Sequence, residues 1–455
     1  MKKVLLIFKY SFIYSISLMM LSAGCSDKYD YPIPPNSFEE TELPPPAKVT
    51  LSKEGNEWKL FVNGDEFYVK GAATNNFYGE AAKYGANTIR TYGVSDETRS
   101  ILDEAYEAGL YVNFGLYMNR ERDGFDYDND AAVANQLEIM KEAVMKYKDH
   151  PALLCWSIGN EAESNYKNTK LWTAVNDVAK FIHQVDPNHP TTVALSNSDV
   201  TKIKLIKEMA PQIDILSINM YAPSLPNVKS NVDAAGWEKP YMITEFGPRG
   251  TWQMNPEPSR ILEWGGLVEQ TSTEKADIYL QAHTDHILAN KSNGCIGSFV
   301  FLWGYQRHGE VLTWYGLFDK KGYTFGAVDA MQYAWTGSYP TNRAPVIQDR
   351  SAILMNNKRA EENIKVDKNS TNTASVVATD PDGDPLTYSW MIMKEGSADS
   401  DGSLPDGITG LISDNTRANI SFKAPSESGA YRLIAFVNDD THKKVASGVI
   451  PFYVN

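Results

Sequence analysis

Cysteine, histidine and positive charge are all scarce in this chain, and each scarcity removes a class of protein. Only three of the 455 residues are cysteine. Cys25 closes the N-terminal apolar stretch, so Cys155 and Cys295 alone remain for the rest of the chain. Both lie in apolar runs of different strands and read as packing residues, which excludes a disulfide framework and a thiolate metal site. The seven histidines show no metal-ligand spacing. His283 and His286 share a face at i, i+3, but no third ligand is evident, so they read as residues of a surface helix. Lys and Arg number 43 against 57 Asp and Glu, a net charge of −14. That argues against a nucleic-acid partner, because phosphate binding needs a basic face. A neutral polysaccharide is indifferent to it. No glycine-rich phosphate loop follows an early strand, which counts against an open dinucleotide-binding sheet.

At the start of the chain, Lys2 and Lys3 precede an apolar stretch from Val4 to about Leu21. This pattern looks like a secretion signal. Lys9 interrupts it and small residues end it, which disfavours a spanning helix. Leu21-Ser22-Ala23-Gly24-Cys25 resembles the bacterial lipobox, which implies cleavage before Cys25 and lipid attachment to it. Ser26-Asp27-Lys28-Tyr29-Asp30 resembles the acidic export tag of surface lipoproteins in Bacteroides-like bacteria. Residues 1–25 therefore read as a lipoprotein signal peptide and its lipobox cysteine, and the protein is expected to be lipid-anchored at the cell surface, on the outer membrane. Residues 26–48 are proline-rich and read as a semi-rigid stalk; roughly twenty extended residues span about 60 Å.

From residue 49 to about 340 the chain alternates apolar strands with amphipathic helices. It opens with a hairpin, Trp58–Val62 and Phe67–Gly71 flanking Asn63-Gly64, a dipeptide that favours a type I′ turn. Such a hairpin would plug the bottom of a barrel. Strands are expected at 68–73, 87–92, 111–117, 153–159, 191–196, 213–219, 241–246 and 295–303. Helix patterns occupy 97–108, 130–147, 168–185 and 273–291. Eight strands, most followed by a helix-sized segment, predict a (β/α)₈ TIM barrel. Beyond Trp335 helical periodicity stops. Short alternating runs at 374–378, 386–390, 418–422 and 431–437 predict a β-sandwich over 344–455, resembling the immunoglobulin-like domains appended to secreted hydrolases. Asp380-Pro381-Asp382-Gly383-Asp384-Pro385 lacks EF-hand spacing and reads as a tight turn in preference to a calcium loop. No metal and no cofactor are expected.

Two of the expected strands lead to a glutamate: 153–159 is followed by Asn160-Glu161, and Tyr241-Met242-Ile243-Thr244 by Glu245. Barrel enzymes keep their chemistry at the carboxyl ends of their strands. Cleaving an acetal between sugars needs two carboxyls there, one protonated and one ionised. Trp156-Ser157-Ile158-Gly159-Asn160-Glu161 resembles the fourth-strand signature of clan A glycoside hydrolases, and of family 2-like barrels in particular. Ile243-Thr244-Glu245-Phe246-Gly247 resembles their seventh-strand nucleophile motif. Asn87–Tyr92 resembles the second-strand element, Asp214–Tyr221 the sixth, and Phe301-Leu302-Trp303 the eighth.

The resemblance implies a retaining mechanism, with Glu161 as acid/base and Glu245 as nucleophile. Arg90 would pair with Glu245 and hold it ionised. Asn160 would donate to the sugar 2-hydroxyl, Tyr221 would orient Glu245, and Trp303 would floor the site. Glu161 is expected in the more apolar setting, with its pKa raised. A carboxyl separation of about 5–5.5 Å is expected for such a pair.

For the substrate, a lipid-anchored barrel with one C-terminal sandwich resembles glycoside hydrolase family 158. That implies a surface endo-β-1,3-glucanase acting on laminarin-type β-glucans. Tyr92, Tyr117, Trp252, Tyr305 and Trp314 follow barrel strands and would supply aromatic platforms for the polysaccharide. Alternatives are another clan A β-glycosidase (exo-acting, or specific for mannan or galactan) and a non-catalytic glycan-binding protein. A monomer is expected.

Overall fold

The computed structural model describes residues 43–55, 57–74, 76–254, 257–305, 313–396 and 407–455. The leader, Cys25 and most of the proline-rich stalk lie outside the described residues. Among the described residues no helix is long and apolar enough to cross a membrane.

The first element is a three-stranded antiparallel sheet of β1 (Val49–Glu54), β2 (Glu57–Val62) and β3 (Asp65–Phe67). The β2–β3 turn is Asn63-Gly64, both at positive φ (53° and 95°), as a type I′ turn requires. Leu60 and Val62 of this sheet join a buried cluster with Val69, Leu154, Ile215, Met242 and Ile296. The last five lie near the amino ends of barrel strands, so the sheet caps the barrel floor.

Eight parallel strands close the barrel. They are β4 (Val69–Ala73), β5 (Thr88–Arg90), β6 (Tyr111–Leu116), β7 (Leu153–Asn160), β8 (Thr191–Leu195), β9 (Ile215–Asn219), β10 (Tyr241–Phe246) and β11 (Cys295–Val300). Each pairs with its chain neighbour, and β11 returns to β4. Strands buried on both faces read as continuous apolar runs, which is why the alternation was legible in the sequence. The helices are α1 (Tyr78–Lys83), α2 (Thr98–Glu107), α3 (Asp130–Tyr147), α4 (Lys170–Val185), α5 (Val200–Met209), α6 (Val228–Ala234), α7 (Ser272–Gln281) and α8 (Gly326–Thr336). Side chains start several of them: Asn129 accepts from Ala132 N, Asp199 from Lys202 N, and Thr271 forms a capping box with Glu274. After α7 the helix widens into a π turn over Ala282–Ile287. That change of period rotates His283 inward. It is buried, not on a surface face, while His286 is half-buried.

Beyond the barrel lie β12 (Thr324–Phe325), β13 (Ile353–Met355), β14 (Lys365–Val366), β15 (Thr371–Val376), β16 (Thr387–Lys394), β17 (Asn419–Lys423), β18 (Gly429–Asp439) and β19 (Lys444–Val454). One sheet runs β12-β19-β18-β16 with β14 also on β19; the other runs β13-β15-β17. The two share a single core that includes Ile353, Val376, Trp390, Phe422, Leu433 and Ile450. This unit is tied to the barrel through buried polar contacts. Lys444 bonds Asp329 of α8, Ser447 N donates to Ser272 Oγ at 2.9 Å, and Arg432 Nη2 donates to Leu267 O at 2.9 Å. Cys155 and Cys295 are free and buried, and burial pushes the Cys295 thiol up to about 12.

Candidate active site

The polar residues at the carboxyl ends of β5, β7, β9 and β10 meet in one hydrogen-bonded cluster. Arg90, the last residue of β5, is fully buried and reaches across the barrel. Its Nη1 donates to Glu245 Oε1 at 3.0 Å, to the Thr244 carbonyl at 2.8 Å and to Asn219 Oδ1 at 3.1 Å. Its Nη2 donates to Asn160 Oδ1 at 2.7 Å. A planar guanidinium is suited to this fan of acceptors, and a lysine would serve only part of it.

Glu245 sits on β10 and is 6% exposed. Two phenols complete its shell: Tyr221 donates to Oε2 at 2.6 Å and Tyr92 to Oε1 at 3.1 Å. Burial pushes the Glu245 carboxyl above the usual carboxylate range. Arg90 pulls it down, the charge of Glu161 raises it, and the two phenols pull it down again. Burial also raises both phenols well above their ordinary value, with the Glu245 charge as the next cause, so they remain donors. The Arg90 guanidinium also lies 4.6 Å from the Tyr92 ring centroid. Gly115 makes room for this arrangement. A Cβ there would stand 2.5 Å from Thr91 O and from the Tyr92 backbone.

Glu161 follows β7 in a left-handed backbone conformation, φ 49°. It is half-buried, and Asn219 Nδ2 donates to its Oε1 at 2.9 Å. Of the two glutamates, therefore, Glu245 has the more buried setting, opposite to the expectation. Tight packing around Arg90 and the two tyrosines encloses Glu245, whereas Glu161 sits on a turn at the strand end. Asn160 has its Oδ1 held by Arg90 and Asn219, which leaves its amide N–H groups as donors toward the cleft.

The expected aromatics divide. Trp252 is 58% exposed and stands edge-on to Tyr221 at 5.7 Å, so it belongs to the site. Tyr117, after β6, is also exposed. Tyr92 is a partner of Glu245 and not a free platform. Tyr305 is exposed but lines an apolar cavity of about 260 Å³ against Met391 and Phe436 of the C-terminal sheet. Trp314 is buried, its Nε1 donating to Arg249 O at 2.8 Å, so it offers no platform. Trp303 does not floor the site. It is fully buried outside the barrel among Tyr84, Phe318 and Trp335. Phe301 is the residue of this segment that packs beside the cluster, 5.9 Å from the Tyr221 ring; β11 ends at Val300, where strand alternation stops.

Two residues escaped the sequence reading. Asn219 lies two before Tyr221 at the end of β9, where strand parity points both to one face. Tyr315 packs 5.1 Å from Tyr221 and carries no local signal.

Residues 83–257 match the family described as Glycosyl hydrolases family 2, TIM barrel domain. Human β-glucuronidase is 26% identical over 144 residues, covering 30% of this chain and 20% of that protein. Rat β-glucuronidase is 22% identical over 239 residues, covering 45% of this chain and 34% of the relative. The chain thus spans no more than about a third of the length of these relatives. Among solved structures, a β-glucuronidase from an uncultured Clostridium superposes with a TM-score of 0.48 at 19% identity, over 64% of this chain and 54% of that one. A Bacteroides uniformis β-glucuronidase gives 0.47 at 14% identity, over 90% and 48%. The family match and the curated relatives support a clan A glycoside hydrolase barrel, and they do not single out family 158.

Proposed function

We propose that the protein is a retaining β-glycosidase in which Glu245 is the nucleophile and Glu161 the acid/base. The observation that carries this reading is the shell around Glu245. One cation and two phenols aim at a single buried carboxylate at a strand end. Three donors satisfy this carboxylate and fix its direction at the carboxyl end of a barrel strand, which is where and how an attacking carboxylate has to be held. Glu161, half-exposed and across the cluster, is free to exchange a proton with a leaving group or water. Asn160 offers its amide N–H to a sugar hydroxyl, a contact that strengthens in the transition state.

The β-glucuronidase names of the curated relatives favour a single-sugar β-glycoside as substrate. A second reading, an endo-β-1,3-glucanase, draws on exposed Trp252 and Tyr117 as platforms for a longer chain. The two readings predict different products. Protein lacking residues 1–25 is assayed on aryl β-glucuronide, β-galactoside and β-glucoside, and on laminarin, mixed-linkage glucan, mannan and galactan. Release from one aryl glycoside, lost in Glu245→Gln, supports the first reading. Oligosaccharides from laminarin alone support the second. Polysaccharide binding without release would leave a glycan-binding protein.

We also propose that the chain is lipid-anchored through Cys25 at the cell surface and that the C-terminal sheets form an immunoglobulin-like support. The anchor predicts radiolabel from palmitate in the full chain and none in Cys25→Ala.

A further inference from the structure

Asn219 makes four hydrogen bonds with one side-chain amide. Its Oδ1 accepts from Arg90 Nη1 at 3.1 Å and from Thr244 Oγ1 at 3.0 Å. Its Nδ2 donates to Asn160 Oδ1 at 3.1 Å and to Glu161 Oε1 at 2.9 Å. The amide has one orientation only. Turning it over would set its N–H groups against the donors of Arg90 and would face its oxygen to two acceptors. Asn219 is itself 1% exposed, so this direction is fixed by the core. Among the described residues it is the only side chain that holds Glu161, whose own backbone sits in a left-handed turn.

We propose that Asn219 is the positioning residue that selects the proton-bearing oxygen of Glu161. An oxygen that accepts an N–H bond is poorly placed to carry a proton, so Oε2 carries it. The inference rests on the acid role given to Glu161 above. In the first step Oε2–H passes its proton to the glycosidic oxygen as the C1–O bond breaks, and the bonding pair stays on that oxygen. The Glu245 carboxylate forms the new bond to C1. In the second step water gives a proton to Glu161 Oε2 and its oxygen bonds to C1. The ester bond to Glu245 breaks as that bond forms, and its electron pair restores the carboxylate. The oxygen of the same amide accepts from Arg90, which braces Glu245.

Leaving-group dependence separates this role from a merely structural one. Asn219→Asp keeps the volume and the acceptor for Arg90 and Thr244, loses the N–H donor and adds a negative charge beside Glu161; Asn219→Ala loses donor and acceptor without that charge, so the two together separate the lost donor from the added charge. Aryl β-glycosides with a 2,4-dinitrophenyl leaving group depart without a proton, whereas phenyl glycosides need one. The expected result is a kcat/KM loss for Asn219→Asp at least about tenfold greater on the phenyl than on the dinitrophenyl substrate. Labelling of Glu245 by 2,4-dinitrophenyl 2-deoxy-2-fluoro-β-glycosides (glucosyl, galactosyl, glucuronyl and laminaribiosyl) should proceed at nearly the wild-type rate. Equal losses on both leaving groups, or no loss on either in a folded variant, would overturn the inference. So would normal labelling of the wild type with slow labelling of Asn219→Asp, while leaving the glycosidase reading intact. A wild type that none of the four reagents labels would overturn the glycosidase reading, and this inference with it.

Discussion

Arg90 and Glu245 form an ion pair at 3.0 Å with side chains only 1% and 7% exposed. Neither charge has water to fall back on, so each depends on the other. Breaking such a pair from one side costs about 3–5 kcal/mol, because the remaining charge is stranded. Arg90→Met is expected to lower stability by that order. It should also displace the acid limb of the kcat/KM profile to higher pH. The sign follows from the causes: burial raises the Glu245 carboxyl and Arg90 lowers it, so without Arg90 only the raising influences grow. Denaturant unfolding and pH–rate profiles of the variant check both parts.

Tyr221→Phe removes the 2.6 Å bond to Glu245 Oε2 and little volume. A hydrogen bond to a charged group is worth about 1.5–3 kcal/mol. The variant is expected to stay folded with a stability loss of about that size, and kcat should fall because Glu245 loses one of the partners that align it. Tyr92→Phe, at the longer 3.1 Å contact, should lose less. Steady-state kinetics of the two variants and the double variant measure the ranking.

Phe301 and Trp303 should part company. Trp303→Ala empties a fully buried site outside the barrel and is expected to cost about 3–5 kcal/mol of stability. Phe301→Ala, beside Tyr221, should act on KM and kcat more than on unfolding. Thermal unfolding alongside kinetics tells them apart.

His283 is 2% exposed, and neither ring nitrogen meets a protein partner among the described residues. Burial, with a smaller push from Lys70, holds its pKa at about 4, below the ordinary 6.5. Between those values the unfolded chain binds a proton that the folded one refuses. Stability should therefore fall as pH drops from about 6.5 to about 4, by on the order of 3 kcal/mol. His283→Leu should flatten that dependence. Urea unfolding at a series of pH values reads it directly.

These outcomes bear on what a sequence can disclose. The barrel strands were legible because burial on both faces writes an uninterrupted apolar run. Arg90, Glu161, Tyr221 and Glu245 were legible because each ends or closely follows such a run. Trp303 and Phe301 were not sorted, since the end of β11 at Val300 breaks the alternation on which the assignment of faces depended. Trp314 is buried through a backbone partner 65 residues away, a contact no local pattern records. His283 was misplaced because the π turn changes the helical period at that point. Asn219 was overlooked because its four partners lie on three other strands and the turn after one of them.

The central claim is that Glu245 attacks the sugar and Glu161 serves as acid and base. Proton NMR of the first sugar released from an aryl β-glycoside or from laminarin, recorded before mutarotation, tests it most directly. The account predicts the β-anomer first, with the signal abolished in Glu245→Gln. An α-anomer appearing first, or undiminished turnover by Glu245→Gln, would contradict it.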